Sequence, residues 1–262
     1  MAEPTIIFED GAAYERGMGV WSRLAGAVFL DWLAPAAGQR WLDVGCGNGV
    51  FTELLIERCT PSEAQGVDPS EGQLAFARTR PGTGSATFLQ GDAMALPFPD
   101  DRFDAAAMAL VIFFVPEPEK GLAEMVRVVR PGGLVTAYAW DIPGDGFPFR
   151  AIQAELRALG KTPVQPPSAQ VSRMETLRDL WISSGLERVE TREITVQRQF
   201  ADFEDFWVSS TNVGAARPML TGLQPGEIEQ MRDRLRAHLP PGPDGRVVYT
   251  ARANAIRGFV PA

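Results

Sequence analysis

Three aspartates stand where short β-rich runs give way to turns: Asp43 in Trp41-Leu42-Asp43-Val44, Asp68 in Gln65-Gly66-Val67-Asp68, and Asp92 in Gln90-Gly91-Asp92. The first is followed at once by Gly45-Cys46-Gly47-Asn48-Gly49. Glycines supply positive φ and let backbone approach a ligand closely. Carboxylates at strand ends can accept hydrogen bonds from ribose hydroxyls or an amino group. The spacing is not the dinucleotide pattern Gly-x-Gly-x-x-Gly, because Val50 stands where the third glycine belongs. Asp43 would repel a pyrophosphate and suits a ligand carrying a cation, an ammonium or a sulfonium. No Gly-Lys-Ser/Thr follows, which excludes a P-loop. Asp68 would take both ribose hydroxyls and Asp92 an adenine amino group, so the set matches an adenosine with a cationic tail.

Such residues need a sheet to hold them. The first half of the chain alternates short strand patterns at 41–44, 65–68, 86–90, 103–110 and 134–140 with helical patterns at 50–59, 71–79 and 119–129. Ser70 reads as the N-cap of the second helix. The fourth strand is almost wholly apolar, as in a parallel sheet covered on both faces. Alternation of this kind predicts an α/β fold with a doubly wound parallel sheet and right-handed crossovers. The second half reads differently. Residues 141–171 are rich in Pro and Gly around one helix at 149–159. Helices follow at 174–184, 202–214 and 225–239, with strands at 186–200 and 246–257. No linker separates two domains, so 1–262 reads as a single domain. About 10–140 forms a cofactor half, and 141–172 and 201–244 are inserted lid or substrate elements.

Composition narrows the partners. There are 33 acidic residues against 25 basic, a net charge of −8. Phosphate backbones are bound chiefly by cations, so nucleic acid is not an expected partner. No apolar run approaches the roughly 18 residues needed to cross a bilayer, and the acidic N-terminus lacks the apolar core of a signal peptide. Cys46 and Cys59 are the only cysteines and His238 the only histidine, so neither a disulfide framework nor a metal site is expected. Cys46 reads as a small buried residue. A cytoplasmic protein, monomer or homodimer, is the expectation.

The motifs, in order, resemble the class I S-adenosylmethionine-dependent methyltransferases of small molecules. Residues 43–49 are similar to that family's first motif. Gly66-Val67-Asp68-Pro69-Ser70 is similar to its ribose segment, Asp92-Ala93-Met94 to its adenine segment, and Arg127-Val128-Val129-Arg130-Pro131-Gly132-Gly133-Leu134 to the element leading into strand five. The resemblance implies a seven-stranded Rossmann-like sheet of order 3-2-1-4-5-7-6 with strand seven antiparallel. The inserts form a helical lid on it. The implied cofactor is S-adenosylmethionine, with S-adenosylhomocysteine as product and a small molecule as acceptor. The resemblance also implies cofactor contacts from Gly45, Cys46, Gly47, Asn48, Gly49, Asp68, Pro69, Ser70, Asp92, Ala93, Met94 and Leu110. An N-terminal cluster holding Tyr14 and Arg23 is similar to a segment over the methionine end, with Arg23 facing the methionine carboxylate.

Methyl transfer by in-line displacement has a neutral thioether as leaving group, so alignment and water exclusion supply much of the rate. A base is needed only if the acceptor must lose a proton. Tyr14, Glu117, Asp141 and His238 are candidates that nothing ranks, and no catalytic residue is assigned. Aromatics near the mouth, namely Phe113, Phe114, Trp140, Phe147 and Trp207, are candidates to line an apolar acceptor pocket. Phe203, Phe206 and Trp207 would share one helix face. The alternative is a methyltransferase-fold protein that binds cofactor or a partner without catalysis.

Overall fold

Phe103–Ala109 (β4) explains the layering. Ala105, Ala106, Ala107 and Met108 are all fully buried, and small side chains on successive positions allow layers to cover both faces. The computed structural model describes residues 15–211, 220 and 222–262. Around β4 run β1 (Arg40–Val44), β2 (Glu63–Asp68), β3 (Ala86–Gln90), β5 (Val129–Trp140), β6 (Glu187–Phe200) and β7 (Val247–Phe259). Their order is β3-β2-β1-β4-β5-β7-β6. The pairings among β1 to β5 are parallel, and β7 is antiparallel to both β5 and β6. The expected topology is therefore the one observed.

Helices α1 (Val20–Leu33), α2 (Val50–Cys59), α3 (Glu71–Thr79), α4 (Pro118–Val128), α5 (Arg150–Ala158), α6 (Met174–Ser183), α7 (Phe203–Thr211) and α8 (Pro225–His238) complete the fold. A π-helical turn, Glu15–Gly19, leads into α1. Trp21, Ala25, Phe29 and Leu33 recur every four residues and are buried, which gives α1 one apolar stripe. Through it Phe29 meets Tyr138 of β5, ring centroids 4.6 Å apart, and Phe51 of α2 at 6.0 Å.

Among the boundaries that differ from the sequence reading, two have a visible local cause. β5 begins at Val129, not at 134, because Val129 already pairs with Phe103 ahead of a register shift. β4 ends at Ala109 because Leu110 turns left-handed, φ 63°, although its N–H still donates to Tyr138 O at 2.8 Å. The shift surrounds Asp104, whose carboxylate accepts from Arg40 N at 2.8 Å and from Arg130 Nε at 2.6 Å. Those two arginines hold the Asp104 carboxyl well below the usual carboxylate range, against a smaller burial effect. This clamp ties the start of β1 to β5.

Past Trp140 the sheet narrows. The β5–β7 register ends at Trp140↔Ala253, whereas β6–β7 pairing continues to Phe200↔Val247. Residues 247–252 thus extend the two-stranded arm about 20 Å beyond β5, at roughly 3.4 Å per residue. The inserts pack along it. Tyr249 Oη accepts from Ala151 N at 3.1 Å, and Phe206 of α7 lies 5.2 Å from Phe200 and 5.3 Å from Tyr249. Among the described residues no helix is long and apolar enough to cross a membrane.

Candidate functional site

The glycine loop joins β1 to α2. Gly45, Gly47 and Gly49 all have positive φ, at 74°, 50° and 81°, a conformation that disfavours side chains. At Gly45 a Cβ would also stand 2.5 Å from a methyl of Val111. The loop is pinned to β2: Gly45 N and Cys46 N both donate to Val67 O, at 2.7 and 3.0 Å. Cys46 O accepts from Gly49 N at 2.9 Å. The Cys46 thiol packs with Leu74, Ala77 and Phe88, and burial, followed by the charges of Asp43 and Asp68, pushes it well above its usual pKa. Its N–H is thus committed to β2 and its side chain packs into the core.

Asp68 closes β2. Its Oδ2 accepts from Gly47 N and its Oδ1 from Ser70 N, both at 2.9 Å. One carboxylate therefore joins the glycine loop to the start of α3, where Ser70 Oγ caps Gln73 N at 3.3 Å. Burial raises the Asp68 pKa, opposed by the two amides. Each oxygen keeps lone pairs beyond these bonds. Pro69 O accepts from Gln90 Nε2 at 2.9 Å. Asp92, after β3, is exposed and accepts from Met94 N at 2.8 Å, with Ala93 and Met94 half-buried beside it.

Asp43 is the unusual member. It is 1% exposed. Thr52 Oγ1 donates to its Oδ2 at 2.6 Å, while Oδ1 is sealed from solvent with no hydrogen-bond partner. An unpaired buried carboxylate oxygen is costly. Burial pushes the Asp43 pKa up to about 7, with Asp68's charge adding and the Thr52 hydroxyl opposing. Thr52 carried no motif signal; its position one helical turn into α2, facing back on β1, makes it the partner.

The π turn reaches the loop from the N-terminal side. Asn48 Nδ2 donates to Glu15 Oε2 at 2.9 Å, and Arg80 donates to both Glu15 oxygens at 2.8 and 3.1 Å. Burial acts to raise the Glu15 carboxyl, but Arg80 and Asn48 together hold it below its usual value. Arg80 also bonds Glu53 at 3.1 Å. Arg23 is committed to Glu53 and Glu57, at 2.9 and 2.8 Å. The structure thus places Arg23 against two carboxylates of α2. Tyr14 lies outside the described residues.

On the other side stand the inserts. Phe113 and Phe114 sit in the turn Ile112–Phe114, rings 4.6 Å apart, with Phe113 buried and Phe114 half-buried. Ser168 from the first insert donates to Phe113 O through its N–H at 3.0 Å and to Val115 O through Oγ at 2.7 Å. Trp140 is 1% exposed and belongs to the hydrophobic core. Phe147 is half-buried, edge-on to Phe149 at 5.4 Å, and Trp207 is half-buried under the Arg232 guanidinium at 6.0 Å. Phe203 and Phe206 do share the buried face of α7. Of the candidate bases, Asp141 is bound by Arg252 at 2.6 Å and Gly144 N at 3.1 Å. The Glu117 and His238 side chains are 66% and 74% exposed.

Residues 42–137 match the methyltransferase domain family. A demethylmenaquinone methyltransferase of Clavibacter sepedonicus is 31% identical over 62% of this chain and 71% of its own. One of Renibacterium salmoninarum is 36% identical over 60% of this chain and 65% of its own, so about a third of that relative has no counterpart in the match. A methyltransferase of unassigned substrate from Bacillus halodurans has the same fold, TM-score 0.61 at 17% identity, over 90% of this chain and 99% of its own.

Proposed function

The chain belongs to the class I S-adenosylmethionine-dependent methyltransferases, and from that premise we propose that it methylates a small molecule with an apolar, quinone-like body. The observation that carries the cofactor side is the sealed, unpaired Oδ1 of Asp43 beside the glycine loop. A cationic N–H is the donor that most relieves a buried carboxylate. Asp43 therefore fits the ammonium of the cofactor's amino-acid end, Asp68 the ribose hydroxyls and Asp92 the adenine amino group. Gly47, where a Cβ would meet nothing nearer than Gln73 Oε1 at 3.9 Å, leaves room for close approach of the ligand to the backbone, while Gly45 and Gly49 admit Val111 and Ala77.

When bound, the cofactor supplies a sulfonium methyl that an acceptor nucleophile takes by in-line displacement. The protein's work is then to orient and to exclude water. Asp68 and Asp43 hold the loop and its ligand at one end. The inserts, docked by Ser168 on the turn after β4, form a lid above the other. Phe147 and Trp207 of the inserts and Phe114 of the turn after β4 are half-buried aromatics that could line the acceptor side. The quinone class rests on the names of the two relatives and on these aromatics.

Calorimetry with S-adenosylhomocysteine and with NAD tests the cofactor assignment. Binding of the first alone is expected, and binding of NAD alone would refute it. Turnover is then measured with a demethylated menaquinol analogue. Cofactor binding without turnover of any small-molecule acceptor would favour the non-catalytic alternative.

A further inference from the structure

Arg198 is a half-buried cation that forms no direct ion pair among the described residues. On β6, Ile194, Val196, Arg198 and Phe200 alternate onto one face, and the other three are buried. The Arg198 guanidinium lies over the Phe200 ring at 4.6 Å and donates from Nη1 to Gly17 O at 3.1 Å. Gly17 is in the π turn whose Glu15 touches Asn48 of the glycine loop. Arg198 thus stands where the arm meets the cofactor half.

The acidic groups nearby are hydrogen-bonded to other partners. Asp205 of α7 attracts Arg198 at longer range, but its oxygens accept from Ala201 N at 2.9 Å and Ser209 Oγ at 3.1 Å. Glu15 is held by Arg80 and Asn48. Across the ladder stands Tyr249, an uncharged phenol whose Oη is bonded to Ala151 N. Arg234 is paired with Glu155, Arg252 with Asp141 and Arg257 with Glu190, while Arg157, Arg188 and Arg192 have no such pair but are exposed to solvent. Arg150 lacks a carboxylate too, yet Thr250 occupies two of its nitrogens. Burial lowers the Arg198 pKa, the direction expected of a cation short of a partner. A guanidinium carries five N–H donors in a fork that matches a carboxylate.

We propose that Arg198 binds a carboxylate at this junction, an inference that rests on the cofactor reading above. Two sources share that chemistry: the amino-acid end of the cofactor and an acidic group on the acceptor. The test uses the full chain as wild type, Arg198→Met, which keeps an apolar stem over Phe200, and Arg198→Lys, which keeps charge without the fork. Each is titrated with S-adenosylhomocysteine, with 5′-methylthioadenosine, which lacks the amino-acid end, and with octanoate in the presence of the latter. Thermal midpoints are compared first. A loss of about tenfold or more on S-adenosylhomocysteine alone, smaller in Arg198→Lys, assigns the cofactor carboxylate. The same loss on octanoate alone assigns an acceptor carboxylate. Unchanged affinities for all three, or equal losses on both nucleosides, overturn the proposal. Should Arg198→Met not fold, the same comparison is read from Arg198→Lys. A wild type that binds neither nucleoside refutes the cofactor reading instead, and the octanoate titration, run without nucleoside, still decides Arg198.

Discussion

At the glycine-loop end, Asp68 spans Gly47 and Ser70 while Thr52 reaches Asp43 nine residues back. On the β6–β7 arm the contacts join residues far apart in sequence: Trp21 lies 6.5 Å from Phe200 and 6.4 Å from Tyr249, and Arg252 grips Asp141. The first region is built from backbone amides, positive φ and carboxylates, and few side chains satisfy it. The second is built from aromatic area and guanidinium stacking, which many combinations satisfy. A cofactor common to a family needs the first kind of site, and an acceptor particular to one enzyme needs the second.

This contrast can be broken. The largest effect is expected from Trp21→Ala. Removing a fully buried Trp should cost about 3–5 kcal/mol in chemical denaturation. If the two regions are separable, S-adenosylhomocysteine affinity of the folded variant stays within a few-fold, and a collapse of binding would join them. Next is Asp43→Asn, which should weaken S-adenosylhomocysteine about a hundredfold at pH 8, or about 2.7 kcal/mol, while leaving the arm and its stability untouched. Third is pH. Asp43 titrates near 7 in the free protein, and a cationic ligand needs it ionised. Affinity should therefore rise about tenfold between pH 6 and 8, with proton release visible across buffers of different ionisation enthalpy. Because its folded pKa lies above the unfolded value near 4, Asp43 favours the folded state most below that value. Stability from this group falls as pH rises from about 4 to 7, and Asp43→Asn should flatten that slope. The smallest effect belongs to Arg23→Ala: its exposed pairs are worth less than about 1 kcal/mol, and cofactor affinity should not move. A clear loss there would return Arg23 to the ligand.

The same division governs what could be read from residue order alone. The strand ends at Val44, Asp68 and Gln90 are marked by local patterns, glycines and caps, and helices 50–59 and 71–79 fall where periodicity puts them. The strand order, including the antiparallel β7, follows from the family resemblance, since nothing local marks which strands become neighbours. The grip of Thr52 on Asp43 and the Glu15–Arg80 pair depend on packing between elements and had no motif. Trp140 reads as a pocket aromatic because it ends a strand near the mouth. Its burial in the main core, 1% exposed, is set by packing that only the folded chain brings together.

The overhang of the arm carries a consequence for how such a chain can change over generations. Residues 247–252 share their ladder with β6 and with no strand of the central sheet. Inserting two residues into each strand of the arm would lengthen it while preserving which side chains face inward, whereas a single residue in one strand would turn Arg198 and Phe200 outward. The arm is thus free to grow or shrink in steps of two, like a sliding rule, while β1 to β5 keep their register.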